Sequence, residues 1–116
     1  METTIRVSKP CDVMAEARKL VGEMESTANE RTKRTLPSAN GLQTFLLFVR
    51  KNGRVPDHHV KGPITVQTLI GDARMTADGE SFELPQGSAI SFAAEVIHDV
   101  SATTDAVLLV THALPQ

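Results

Sequence analysis

From Gly41 onward the chain is punctuated by turn-forming pairs: Asn52-Gly53, Gly62-Pro63, Gly71-Asp72, Asp78-Gly79 and Gln86-Gly87. Each supplies the positive-φ or φ-locked residue that a tight turn needs. The segments between them are short. Leu42, Thr44 to Val49, Ile64 to Ile70, Ser81 to Leu84, Ser88 to Phe92 and Ala106 to His112 read as strands. Asp78-Gly79 is the strongest hairpin signal, because a type I′ turn requires positive φ at both central positions. No helix-length pattern separates the strands, so a parallel sheet with crossover helices is not supported. The pattern predicts an all-β barrel or sandwich.

One helix is expected ahead of the strands. Residues 12 to 24 place Val13, Met14, Ala17, Leu20, Val21 and Met24 at the spacing of one helical face. Asp12 is positioned to cap the first turn, and Glu16 adds negative charge near the positive end of the dipole. The helix is expected to pack outside the barrel or across a subunit contact. Arg31, Lys33 and Arg34 then form a small basic cluster, read as an exposed strand or linker. The chain divides into a helix and arm, residues 1–35, and a barrel, residues 36–116.

The 116 residues suit one domain that buries its own core without disulfides. Twelve basic against 14 acidic side chains give a net charge of -2, and there is no Trp or Tyr. Neither a basic field nor a stacking platform is present, so nucleic acid is not an expected partner. The single cysteine, Cys11, allows no internal disulfide, and no apolar stretch approaches a membrane span, so a cytoplasmic, membrane-free protein is expected. Cys11 has no neighbouring His to make it a nucleophile. Neither a Gly-rich phosphate loop nor a paired-cysteine zinc motif occurs.

The chemistry is expected at histidines. His58 and His59 lie in the first half of the strand region and His98 in the second, which allows imidazoles from both halves to meet at a barrel mouth. Side chains alternate along a strand. One register turns Asp57 and His59 inward, and the other turns His58 inward. Glu95 is a candidate rim carboxylate, His112 reads as structural or exposed, and Gln67 is expected outside.

The residues from Gly53 to His98 resemble the two consecutive motifs of the cupin superfamily, in particular its small single-domain bacterial members. The first motif is carried by Gly53-Arg54-Val55-Pro56-Asp57-His58-His59, then Gly62-Pro63 and the run to Gly71. The second is carried by Gly87 and His98 at the motif's spacing, with Ala93 and Glu95 in place of its Pro and inner Gly. The resemblance implies a double-stranded β-helix, or jelly roll, with the N-terminal helix outside. It also implies a metal site. Counting back from Gly71 places Ile64 where the motif has a metal-binding Glu, so at most three of the motif's four ligands are kept. Asp57, His58, His59 and His98 are the candidate ligands, and a two-His, one-carboxylate face would suit Fe, Mn, Ni or Zn.

Phe45, Leu47, Val66 and Phe92, with Ile90, Val100 and Leu109 or their strand neighbours, are expected to line a pocket for a small-molecule ligand. Two functions follow. One is a metal-binding cupin acting on a small organic molecule, and the other is a metal-free sensor or accessory protein whose histidines bond the ligand directly. The open edges of a short barrel favour a homodimer, with residues 1 to 40 contributing.

Overall fold

The computed structural model describes residues 4–114, with the side chain of Asp57 outside that description. One helix, α1 (Val13–Met24), precedes nine strands: β1 (Arg31–Thr35), β2 (Leu42–Val49), β3 (Arg54–His58), β4 (Ile64–Ile70), β5 (Ala73–Ala77), β6 (Glu80–Leu84), β7 (Ala89–Phe92), β8 (His98–Ala102) and β9 (Ala106–Ala113). They form a five-stranded sheet, ordered β1-β2-β9-β4-β7, facing a four-stranded sheet, ordered β3-β8-β5-β6. Every pairing is antiparallel. The architecture is the all-β jelly roll that the turn spacing and the resemblance predict.

Alternation assigns the layers. Ile64, Val66, Leu108 and Val110 from the larger sheet meet Met75 and Val100 from the smaller one to form the barrel interior. The opposite face of the larger sheet presents Leu46, Phe48 and Val107 to Ala17, Leu20 and Met24 of α1. Those three helix positions are spaced to fall on one face, and all are buried. Leu109 belongs to this helix-side cluster, while Leu108 faces the interior. The expected pocket position of Leu109 is therefore corrected by one residue.

The helix begins where the sequence predicts, since the Asp12 carboxylate accepts a hydrogen bond from Ala15 N at 3.0 Å. Its last turn is held by Arg50, which donates to the Met24 carbonyl at 2.9 Å and lies over the Phe48 ring. Arg34 on β1 pairs with Glu16 and Glu23 of the helix. No helix among the described residues is long and apolar enough to cross a membrane.

The Asp78-Gly79 hairpin joins β5 and β6 with φ of 53° and 79°, as a type I′ turn requires. Strands β3, β5 and β8 carry weaker sequence signals: Pro56 interrupts β3, and β5 reads Ala-Arg-Met-Thr-Ala. Tertiary pairing overrides that propensity, because β5 bonds β6 on one edge and β8 on the other.

Two glycines differ in why they are needed. A Cβ on Gly62 would fall 1.7 Å from the Ala113 carbonyl oxygen, whereas at Gly79 there is open space and only the positive φ matters. Gly79→Ala is expected to cost about 1 kcal/mol for the left-handed backbone. Gly62→Ala should cost more, because the β3–β4 loop has to lift off the end of β9. Urea unfolding of both variants checks the order.

Candidate functional site

The two sheets bring His58 and His98 together at one end of the barrel. From Val55, which pairs with Val100, simple alternation would turn Asp57 and His59 inward. The register instead shifts between Val55 and His58, and His58 pairs with His98. Pro56, which has no amide to donate, lies in that irregular stretch. The shift reverses the parity, so His58 faces His98 with ring centroids 3.9 Å apart at 62°. His59 points to the rim, where its Nε2 lies 3.6 Å from Glu95 Oε2, both side chains well exposed. The Asp57 side chain lies outside the described residues.

His98 is buried, and Phe92 packs against its ring at 4.6 Å. Each of the paired imidazoles is tied to a carbonyl two residues back: His58 Nδ1 donates to Pro56 O at 2.9 Å, and His98 Nδ1 donates to Val96 O at 3.0 Å. A carbonyl only accepts, so the proton resides on Nδ1, and in the neutral ring Nε2 keeps its lone pair. Burial pushes the His98 imidazole below the ordinary value of 6.5. The Val96 carbonyl opposes that shift and His58 reinforces it. His98 is accordingly a neutral hydrogen-bond acceptor at pH 7.

Behind the pair lies a cavity of about 60 Å³. Phe45, Leu47, Val66, Met75 and Val100 are among its walls, and the two histidines are its only polar side chains among the described residues. Ile64, also in the wall, stands where the resembling motif has a carboxylate. A larger groove of about 450 Å³ crosses the outer face of the five-stranded sheet, but no titratable side chain lines it.

Outside the barrel, Asp99 fixes the direction of β8. Burial pushes its carboxyl upward, but hydrogen bonds from Thr76 and Arg54 outweigh this and hold it below the ordinary carboxylate range. Glu95 adopts φ 67° in the position where the resembling motif has glycine. That left-handed backbone costs about 1 kcal/mol, and the Glu95 amide bonds the Val60 carbonyl at 2.8 Å, joining the two loops at the mouth.

His112 is partly buried on β9. It pairs across the sheet with Gln43 and Ile64 and shares the inward parity of Leu108 and Val110. Its Nε2 is buried beneath Gly62 without a hydrogen-bond partner among the described residues. The signal was present in the sequence, since His112 follows Val110 by two residues.

The metal site implied by the resemblance can be tested on this geometry. Among the described residues, no group of three or more His, Cys, Asp or Glu is arranged to hold an ion. Two imidazoles bound to one ion through Nε2 at about 2.1 Å keep their ring centres roughly 4.5–5 Å apart. At 3.9 Å, the His58 and His98 rings are closer than that. As arranged, the pair does not fit joint ligation.

No family model matches the chain, and no curated protein matches it in sequence. Solved structures do share its fold. A cupin superfamily protein from Desulfitobacterium hafniense superposes with a TM-score of 0.75 at 16% identity, covering 97% of both chains. A conserved protein of unknown function from Streptococcus pyogenes gives 0.72 at 20% identity over 98% of this chain and 94% of its own. A variant of salicylate 1,2-dioxygenase from Pseudoaminobacter salicylatoxidans gives 0.75 at 14% identity over 97% of this chain and 37% of the enzyme. At these identities the likeness establishes the fold: the chain is a cupin-type jelly roll with one helix outside.

The lowered His98 pKa has a definite sign in stability. The unfolded chain takes up this proton near pH 6.5 while the folded chain resists it, so stability is lost as pH falls below that value. Thermal melts from about pH 7.5 to about pH 5.5 should show a steeper loss for the wild type than for His98→Leu, which has no proton to gain at that site.

Proposed function

We propose that the chain binds a small organic molecule directly at the His58–His98 pair, without a metal. The observation that carries this reading is the contact of two imidazoles, each with Nδ1 tied to a carbonyl, at the mouth of an otherwise apolar cavity. Two Nε2 lone pairs select a group that donates, such as a hydroxyl or amine. Phe45, Leu47 and Val66 would hold the apolar body, and Phe92 would brace the His98 ring. Each neutral hydrogen bond contributes about 1 kcal/mol.

A divalent metal is the second reading. It is favoured by the same carbonyl bonds, because a ligating histidine commonly has its other nitrogen fixed in this way. It requires the rings to part and Asp57, His59 or Glu95 to complete the set around Fe, Mn, Ni or Zn. Elemental analysis of purified protein, followed by titration with each of these metals, separates the two readings. Direct binding predicts no stoichiometric metal and roughly tenfold weaker binding of small alcohols or amines to His98→Leu and His58→Leu. A stoichiometric metal that disappears in His98→Leu would overturn it.

A homodimer is part of the proposal. Ile5, Leu42 and Leu114 are each about two-fifths exposed, and hydrogen bonds tether their backbones around residues 40–41, beside the uncharged outer groove. Covering such a patch favours self-association. Sedimentation is expected to show a dimer that Leu42→Asp weakens, and a monomeric wild type would refute it.

A further inference from the structure

The outer faces of the two sheets differ in chemistry. On the smaller sheet the register aligns Arg54, Ser101, Arg74 and Glu83 in one row, with Asp99 and Thr76 in the next. Arg54 pairs with Asp99 and Arg74 with Glu83, each at 2.6 Å. Polar side chains of this kind are what an antiparallel sheet presents to water.

The larger sheet is covered by α1 over one half of its outer face. The other half presents Leu42, Thr44, Thr65, Ser91, Thr111 and Ala113, none of them charged. Leu42, Thr65 and Ser91 are exposed. The register sets four hydroxyl residues side by side across four strands, with Thr44 opposite Thr111, Thr111 opposite Thr65 and Thr65 opposite Ser91. Thr65 Oγ1 and Ser91 Oγ share a hydrogen bond of 2.8 Å. The groove of about 450 Å³ runs along this row.

Such a face suits a second copy for a chemical reason. A two-fold contact sets the same surface against itself. Charged groups near its axis would meet their own sign, which is strongly unfavourable. A hydroxyl both donates and accepts, so it can bond the same hydroxyl of the other copy.

We infer that a second copy of the chain seats on this half of the face, sheet against sheet, with the two-fold axis passing by the Thr65 and Thr111 hydroxyls. The inference rests on the homodimer proposed above and assigns its centre. The hydroxyl row forms the middle of the contact, and the exposed Ile5, Leu42 and Leu114 form its rim.

Sedimentation of the intact chain tests this through residue 65, whose exposed side chain can carry a charge in a folded monomer. Thr65→Lys and Thr65→Glu should each weaken self-association at least about a hundredfold, because like charges then face each other across the axis. An equimolar mixture of the two variants should recover the dimer, which misfolded chains could not do. Ser81→Lys, on the outer face of the smaller sheet, should leave the dimer intact. Dimer lost in both charged variants and not recovered in their mixture would overturn the two-fold placement. A dimeric wild type that Thr65→Lys leaves unchanged would overturn this face, assign it to some other occupant and leave the homodimer standing. A monomeric wild type would overturn both.

Discussion

Strand β9 has a bonded strand on each edge and a packed layer on each face, so the other elements take their positions from it. Val107, Leu108 and Val110 are almost fully buried, yet they point to different sides, toward the helix or into the barrel. A strand that is apolar on both faces carries no information about which face is which. The asymmetry is supplied by its neighbour β4, whose Thr65 is exposed and whose Gln67 bonds the Gly87 carbonyl, while Ile64 and Val66 are buried. A slip of one residue would bury Gln67 and expose Val66.

At that mouth the decisive property is neutrality. A protonated His98 would place a positive charge in an apolar wall next to a second imidazole, and burial disfavours it. The two backbone carbonyls then select the tautomer, and the direction of the lone pairs follows. The site is made by secondary structure as much as by side-chain chemistry, because the irregularity in β3 decides that His58, and not its neighbours, meets His98.

Much of this was legible beforehand. The helix with its Asp12 cap, the Asp78-Gly79 hairpin and the strand from Ile64 to Ile70 all follow from local rules, which explains their agreement with the fold. His98 was legible from motif spacing. The choice between His58 and His59 was not, because alternation assumes an unbroken ladder and the register shift reverses it. Leu109 was misplaced for the reason given above: apolar residues on both faces of β9 leave parity undetermined.

The position of β9 also bears on how the chain reaches this state. The strand formed by residues 106–113 is central in space although late in sequence, and its partner β2 lies more than fifty residues upstream. During synthesis, α1 and β2 leave the ribosome before β9, which pairs with β2 and supplies Val107 to the cluster around Leu46 and Phe48. Closing that long loop carries its entropic cost before any contact offsets it, which is the regime of slow, nonlocal folding. Until residue 113 has been made, β2 and β4 each carry one unpaired edge, the edge that β9 covers in the folded chain. The emerging chain's exposure to misassociation is greatest at that stage.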